Sequence, residues 1–221
     1  MRTFVIADIH GNNTLFRKAL KAVNLKKSDK VILLGDVIDR GPESKEVLDT
    51  IILLKESGFE IICIKGNHED MLLNSFNDDS KFYQWIQNGG TETLLSFLTD
   101  SVDKIPTKYV DLISSFSNYH LHDNFILVHA GLNTRLDDPF IDLETMLWTR
   151  NAKELLKSDW DRSKYIIHGH NPVHKNTIID DIDNKSNVIG IDNGVYLKKN
   201  GFGSLSILQL ETLHLEFING S

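Results

Sequence analysis

The chain has 221 residues, of which 41% are hydrophobic and 25% are charged, and its formal net charge is −7 at pH 7. This length fits one domain or at most two small ones, and we predict a single domain over residues 1–221. The acidic balance without a lysine and arginine stripe argues against a nucleic-acid-binding protein, and no apolar run is long enough to predict a membrane span.

The cysteine content and the N-terminal residues indicate the compartment. Cys63 is the only cysteine, so no intrachain disulfide can form. Its apolar neighbours predict a buried strand residue rather than a reactive thiol. The apolar stretch at the start of the chain stops at Asp8, which is too short for the apolar core of a signal peptide. We therefore expect a soluble protein of the reducing cytoplasm; its oligomeric state stays open, and a monomer is compatible with the sequence.

The first 65 residues alternate apolar runs with helical patterns. The predicted elements are a strand over Thr3–Asp8, an amphipathic helix around Leu15–Val23, a strand over Lys30–Gly35, a helix over Glu43–Ser57 and a strand over Phe59–Lys65. Strands that are apolar without interruption are typical of parallel sheets buried on both faces. The pattern therefore predicts a right-handed βαβαβ unit.

The remainder of the chain is predicted to be helical first and then rich in strands. The helical pattern runs from His68 to Phe116 and is broken at Asn88–Gly90. Further strands are predicted at Phe125–His129 and Tyr165–His168. The runs TIID, VIGID, LSILQL and LHLEFI near the C-terminus are separated by turn residues, and they predict an antiparallel meander.

Polar residues follow five of the predicted strands at the point where each strand ends. The segments ADIHG, GDVIDRG, KGNHED, VHAG and HGHNP supply Asp8, His10, Asp36, Asp39, Arg40, Asn67, His68, His129 and His170. Ligands of parallel α/β sheets bind outside the carboxyl ends of the strands. A single aspartate or histidine there is more often a helix cap, a turn residue or an ordinary core residue. Five strand ends that carry such residues together predict one polar crevice, because isolated buried charges are costly.

The residue types in this crevice suit divalent metal ions. Carboxylates and imidazoles together bind Mn, Fe or Zn. Asp8 and His10 are two positions apart on an extended segment, so they point to the same side and can share one ion. Asp36 lies centrally and is the predicted bridge between two ions. The predicted ligands of the second ion are Asn67, His129 and His170. Two ions about 3.5–4 Å apart hold a shared water and make hydroxide available near neutral pH.

These segments resemble the ordered motifs of the phosphoprotein phosphatase (PPP) family of calcineurin-like metallophosphoesterases, especially its small bacterial and phage serine/threonine phosphatases. The likeness runs from Thr3 to Gly194, and GDVIDRG and GNHE together are highly specific. It implies an α/β fold in which a β-sandwich is flanked by helices, a four-layer α/β/β/α arrangement whose mixed sheets are built on the βαβαβ unit. It also implies two divalent ions, with Mn²⁺ as the first choice and Fe or Zn as open alternatives.

The resemblance also assigns catalytic roles. His68 matches the general acid, Asp39 matches its carboxylate partner and Arg40 matches an arginine that clamps phosphate; Arg150, in the looser motif MLWTRNAK, resembles a second clamp. The implied reaction is hydrolysis of a phosphomonoester by direct attack of a hydroxide held by the two ions. Three positions depart from the family pattern, namely Ala7 for glycine, and Asn171 and Asn193 for threonine. None of them is a predicted ligand.

Three functions follow from this reading. The leading one is a serine/threonine phosphatase that acts on a phosphorylated protein or peptide. The alternative keeps the chemistry but acts on a dinucleoside tetraphosphate, which requires an aromatic pocket for a base. The third is a binding scaffold that has lost catalysis, and the presence of every expected ligand disfavours it.

Overall fold

The computed structural model describes residues 1–220, which form two β-sheets that pack face to face, with helices on both outer sides. The strands are β1 (Thr3–Ile6), β2 (Lys30–Leu33), β3 (Glu60–Cys63), β4 (Tyr119–His122), β5 (Phe125–Val128), β6 (Tyr165–His168), β7 (Val188–Gly190), β8 (Ser204–Gln209) and β9 (His214–Asn219). The helices are α1 (Asn13–Ala22), α2 (Ser44–Glu56), α3 (Asn67–Asn74), α4 (Asp79–Trp85), α5 (Thr91–Ser96), α6 (Thr107–Ser114), α7 (Leu143–Trp148) and α8 (Lys175–Asp183). None of these helices is long and apolar enough to cross a membrane.

Both sheets are mixed, as predicted. The first has the strand order β3-β2-β1-β8-β9, in which β1, β2 and β3 run parallel, β8 runs antiparallel to β1, and β9 runs antiparallel to β8. The second has the order β4-β5-β6-β7, in which only β4 runs antiparallel to its neighbour. The predicted βαβαβ unit and the four-layer arrangement of helices and sheets are therefore confirmed.

The apolar strands owe their continuous character to burial on both faces. Along β1, Phe4 and Ile6 pack towards α1 and α2, whereas Val5 lies in the layer between the sheets with Leu127 and Ile167 of the second sheet. Each fully buried side chain of this kind contributes about 1.5–3 kcal/mol relative to exposure. The outer face of the second sheet is covered by α7 and the segments around it.

The C-terminal meander was predicted incorrectly in part. The run TIID lies in α8, which places Ile178 in the core and leaves Ile179 exposed. A four-residue segment with two apolar residues does not distinguish a strand from a helix. The run VIGID contains β7, which pairs in parallel with β6, and only β8 and β9 form an antiparallel hairpin. The edge strand β4 was missed, because its sequence YHLH is short and mostly polar.

Candidate metal centre and active site

The loops that follow β1, β2, β3, β5 and β6 meet at one place. The backbone N–H of His10 donates to the carbonyl of Asp36 (2.8 Å), and the backbone N–H of His170 donates to the carboxylate of Asp8 (3.0 Å). The side chains that the sequence predicted as metal ligands are all buried, with exposures of 7% or less; they are Asp8, His10, Asp36, Asn67, His129 and His170. Segments that lie up to 162 residues apart in the sequence therefore form one cluster.

One part of this cluster is formed by Asn67, His129 and His170 beside Asp36. The Nε2 atom of His129 lies 2.9 Å from Asn67 Oδ1, 3.2 Å from His170 Nδ1 and 3.4 Å from Asp36 Oδ1. Asn67 Oδ1 also lies 2.9 Å from His170 Nδ1. Four potential ligand atoms thus converge on one point, and they are the predicted ligands of the second ion.

The other part is formed by His10 and His68 on the second carboxylate oxygen of Asp36. Their Nε2 atoms lie 3.7 and 3.8 Å from Asp36 Oδ2. In each of the two parts, the ligand atoms of the histidines and Asp36 lie within 4.8 Å of one another. Asp36 is the shared member, which fits the predicted bridge. The carboxylate of Asp8 lies next to this cluster, on the backbone of His170.

The imidazoles have the orientation and the neutral charge state that metal ligands require. The Nδ1 atoms of His129 and His10 donate to the carbonyls of Leu34 (2.8 Å) and Ile38 (3.2 Å), which turns both Nε2 atoms towards Asp36. Histidines that bind metal usually hold their other ring nitrogen in this way. Burial lowers the pKa of His10 and His129 and holds the pKa of His170 at about 3. These rings are therefore neutral near pH 7, as metal binding requires.

The buried carboxylates at the site also require positive charge nearby. Burial raises the pKa of Asp8, and the neighbouring charges of Asp192 and Asp36 raise it further. Burial raises the pKa of Asp192 to about 7, with the charge of Asp36 contributing. Buried carboxylates this close to one another are costly unless positive charge is present. Oxygen and imidazole donors in one set suit first-row divalent ions, so the residues present fit a site for such ions.

Several side chains of the cluster sit on unusual backbone. The φ angles of His10, Asp36, Asp39, Arg40 and His170 are 44°, 48°, 70°, 67° and 65°. Residues other than glycine rarely adopt such angles, and they do so mostly at functional sites where the surroundings hold them. The first three strands each end two residues earlier than predicted, at Ile6, Leu33 and Cys63, before the chain turns into the site.

His68 and Asp39 form a buried pair. The Nδ1 atom of His68 donates to Asp39 Oδ2 (2.7 Å), and both residues are 0% exposed. Burial lowers the pKa of His68, but the charges of Asp36 and Asp39 outweigh burial, so the net shift is upward. The opposite Nε2 atom of His68 is buried without a hydrogen-bond partner within the described residues. This arrangement favours a proton on His68 that can be donated into the crevice.

The two predicted arginine clamps occupy different surroundings. The Nη1 atom of Arg40 lies 2.6 Å from His10 Nε2, and its guanidinium lies over the ring of Tyr196 at 4.4 Å from the centroid. Arg150 is exposed, and its Nη1 atom donates to Asn171 Oδ1 (3.4 Å), the residue after His170. Arg40 therefore lies inside the cluster, and Arg150 lies on its solvent side.

The structure adds residues that the sequence reasoning missed. Glu69 is fully buried, and its carboxylate accepts the backbone N–H groups of Asp36, Val37 and Gly66, each at 2.8 Å. Its place at the third position of α3 is that of the acidic residue in a capping box, and this spacing was a usable signal. Burial and the charge of Asp36 raise the pKa of Glu69 to about 7.

Trp85 and Thr93 also reach the site, through Asp39. Trp85 is completely buried, which excludes stacking on a ligand. Thr93 carried no signal, because nothing in its local sequence shows that it meets a residue 54 positions away.

Two facing mixed sheets with aspartate, histidine and asparagine side chains gathered at their strand ends define a metallophosphoesterase. The sequence comparison agrees with this class. The chain belongs to the calcineurin-like phosphoesterase family, whose sequence profile matches residues 1–202.

The chain is similar in sequence to relatives that are named for different activities. The chain is 30% identical over 207 residues to serine/threonine-protein phosphatase 2 of Escherichia coli K12, an alignment that covers 86% of each chain. It is 29% identical over 133 residues to the symmetrical bis(5'-nucleosyl)-tetraphosphatase of Nitrosomonas europaea, which covers 60% of this chain and 45% of that protein. The chain thus spans less than half the length of that tetraphosphatase.

A solved structure confirms the fold. A crystal structure described as that of a candidate diadenosine tetraphosphatase superposes with a TM-score of 0.67 at 22% identity, and the match covers 100% of this chain and 94% of that one. At this identity the likeness shows the architecture and leaves the substrate open.

Proposed function

We propose that the protein is a metal-dependent serine/threonine phosphatase that hydrolyses phosphomonoesters of proteins or peptides. The observation that carries the proposal is the His68–Asp39 pair, with its free Nε2 atom beside Asp36. The alkoxide that leaves from a phosphoserine or phosphothreonine is a poor leaving group, so its departure benefits from a general acid. A histidine whose pKa is raised by two carboxylates against the effect of burial can supply that proton.

The remaining side chains have complementary tasks. When bound, two divalent ions would activate the attacking water and neutralise charge on the phosphate. The residues that would hold them are Asp8, His10, Asp36, Asn67, His129 and His170. Arg40 presents a planar fork that pairs with two phosphate oxygens at once. Arg150, at the solvent side, would contact the same phosphate from the other direction. Asp39 holds the His68 ring so that Nε2 faces the leaving oxygen.

Two observations support a phosphoprotein substrate. The E. coli serine/threonine phosphatase aligns over 86% of both chains, whereas the N. europaea tetraphosphatase is matched over 45% of its length. The chemistry points the same way, because a polyphosphate is a better leaving group than an alkoxide and depends less on a general acid. We further propose Mn²⁺ as the working metal and the cytoplasm as the compartment.

A symmetrical dinucleoside tetraphosphatase is the second candidate, and one structural observation favours it. The ring of Trp148 lies 6.5 Å from the ring of His170, and this tryptophan is 37% exposed. An exposed aromatic ring beside the predicted second-ion site can stack on a base. The relatives named as tetraphosphatases are consistent with this use of the ring.

One substrate panel separates the two candidates. The protein is stripped with a chelator, reloaded with Mn²⁺, Zn²⁺ or Fe²⁺ one at a time, and assayed on a phosphoserine peptide, on p-nitrophenyl phosphate and on diadenosine tetraphosphate. We expect metal-dependent turnover of both monoesters and a preference for Mn²⁺. A kcat/KM that is at least about tenfold higher on diadenosine tetraphosphate than on the peptide, which is a difference of 1.4 kcal/mol in barrier, would reverse the assignment.

A further inference from the structure

The turn that carries Asp39 and Arg40 is held by the junction between α4 and α5. Trp85 ends α4, residues Ile86–Gly90 form a kinked connection in which Gly89 has a non-helical backbone, and Thr91 begins α5. We call residues 85–93 the α4–α5 junction. The junction lies 46–54 residues beyond Asp39 in the sequence, so only the tertiary fold brings the two together.

The junction supplies the partners of the Asp39 carboxylate other than His68. Trp85 Nε1 donates to Oδ2 (2.8 Å), the oxygen that also accepts from His68, and the hydroxyl of Thr93 donates to Oδ1 (2.6 Å). The Asp39 backbone N–H donates to the hydroxyl oxygens of Thr93 and Ser44, each at 3.0 Å. All of these residues are fully buried. Hydrogen bonds to both oxygens therefore fix the plane of the Asp39 carboxylate.

The same junction holds the backbone of Arg40. The N–H of Arg40 donates to the carbonyl of Gly89 (3.1 Å). A Cβ atom on Gly89 would lie 2.8 Å from Arg40 Cγ and 2.9 Å from Arg40 N, and the φ angle of Gly89 is 108°. Asp39 and Arg40 both have left-handed φ angles of about 70°, a conformation that persists only where the surroundings hold it.

We propose that Trp85, Thr93 and Gly89 are positioning residues for catalysis: Trp85 and Thr93 aim the His68–Asp39 pair at the leaving group, and Gly89 places Arg40 on the phosphate. The inference rests on the proposed function, because it needs His68 to act as the general acid. The inference assigns two different roles to residues of the α4–α5 junction. Loss of the Trp85 or Thr93 hydrogen bond impairs proton donation, and displacement of Gly89 impairs phosphate binding.

A purely structural role predicts something different. Trp85 also packs against Phe82, with ring centroids 6.2 Å apart, so its removal would loosen the core. Loss of packing lowers stability and reduces turnover of every substrate alike. Loss of positioning reduces turnover of substrates with a poor leaving group much more than turnover of p-nitrophenyl phosphate, whose aryl oxide leaves without protonation.

Matched substitutions separate these roles. Thr93→Val keeps the shape and removes the hydroxyl, and Thr93→Ser restores the hydroxyl. Trp85→Phe keeps an aromatic ring and removes the N–H. Asp39→Asn gives the full loss for comparison. The measurements are kcat/KM on a phosphoserine peptide and on p-nitrophenyl phosphate, with the melting temperature of each variant.

We expect Thr93→Val and Trp85→Phe to lose about 10- to 100-fold on the peptide, as for a hydrogen bond to a charged group, and less than about threefold on the aryl ester. Thr93→Ser should recover most of the loss. Equal losses on both substrates, no recovery in Thr93→Ser, or failure of both Thr93→Val and Trp85→Phe to fold would overturn the proposal. Wild-type protein that turns over neither monoester would instead overturn the proposed function itself.

A substitution at Gly58 serves as the control for a substitution at Gly89. Gly58 also has a positive φ angle, 83°, and a Cβ atom there would meet no other atom within 4 Å. Gly89→Ala and Gly58→Ala therefore incur the same kind of backbone strain, and only the first disturbs Arg40. Inhibition by inorganic phosphate should weaken about tenfold or more in Gly89→Ala, as for loss of a charged hydrogen bond, and stay unchanged in Gly58→Ala. Similar inhibition of the two variants by inorganic phosphate would show that Gly89 does not position Arg40.

Discussion

Glu69 accepts the backbone N–H of Asp36 at 2.8 Å, although the two residues follow different strands of the sheet. The same carboxylate accepts the N–H groups of Val37 and Gly66, so it ties the loop after β2 to the start of α3. Asp36 and Asn67, two of the predicted metal ligands, lie on these two segments. Glu69 thus sets the spacing between ligands without facing the crevice itself.

Glu69→Ala should consequently cost both stability and metal affinity. It leaves three buried N–H groups without their acceptor, and each such loss costs about 1–3 kcal/mol, so we expect at least about 3 kcal/mol in total. Urea unfolding and the metal content after dialysis measure the two effects. Asp70→Ala, one residue further along α3, is the control, because Asp70 contacts only the exposed Asn74 side chain in the hydrogen bonds described. A cost below about 1 kcal/mol would contradict the role of Glu69.

Short sequence segments were sufficient to predict which side chains meet at the site. The carboxyl ends of parallel strands lie at one edge of a sheet, so the grouping of Asp8, Asp36 and Asn67 could be predicted once the strands were recognised. The structure brings every predicted ligand into that group. Their individual roles stay predictions, as do those of the arginines.

Other features depend on contacts that no local pattern encodes. Thr93 and Trp85 meet Asp39 only because helices far along the chain fold back over the turn after β2. Tyr196 likewise reaches Arg40 from the loop after β7. The helix α8 was mistaken for a strand because Ile178 and Ile179 form a short apolar run, although Ile182, four residues after the buried Ile178, also packs against the core.

His68 is close enough to Asp36 to be considered as a metal ligand as well as an acid. The two roles predict different metal contents. If His68 is the acid, His68→Asn keeps both ions while turnover of a phosphoserine peptide falls by about 10²–10⁴-fold, the usual contribution of general acid catalysis. His129→Asn is the comparison and should lose bound metal. Mass spectrometry of the native protein or elemental analysis measures the stoichiometry, and loss of an ion from His68→Asn would make it a ligand instead.

Tyr196 supports the guanidinium of Arg40 by stacking. An exposed cation–π contact contributes about 0.5–1 kcal/mol, so Tyr196→Leu should raise the KM for a phosphomonoester about two- to fivefold and leave kcat nearly unchanged. Steady-state kinetics measure both constants. Tyr83→Leu removes another exposed tyrosine, which packs on Phe82 away from the arginine, and should change neither. A fall in kcat at constant KM would show that Tyr196 acts on the chemical step.

A pH-dependent contribution to stability is expected away from the site, at Asp29. Arg2 donates to this carboxylate at 2.5 and 3.2 Å, and the hydrogen bond from Arg2 lowers the pKa of Asp29 below its usual value. A depressed native pKa stabilises the fold above the pKa of the unfolded chain, and the stabilisation is lost as the pH falls through the native value. Asp29→Asn should therefore be least stable relative to wild type at pH 7, and the difference should shrink below about pH 4.

Urea unfolding of Asp29→Asn and wild type at pH 7, 5 and 3.5 tests this dependence. Asp100→Asn is the control, because Asp100 forms its ion pair with Lys104 on the surface, where such pairs contribute little. A difference for Asp29→Asn that grows towards acid pH would show that the sign of the linkage is wrong.

Asp36 contributes one carboxylate oxygen to each half of the cluster, so its substitution should remove the stabilisation of the fold by bound metal. One ion at 100 times its dissociation constant stabilises a protein by about 2.7 kcal/mol, which is about 5–11 °C in melting temperature for a chain of this size. Asp36→Asn should lose this metal-induced rise. Asp100→Asn should keep the full rise. If Asp36→Asn folds and still shows the wild-type shift with Mn²⁺, Asp36 does not bridge two ions.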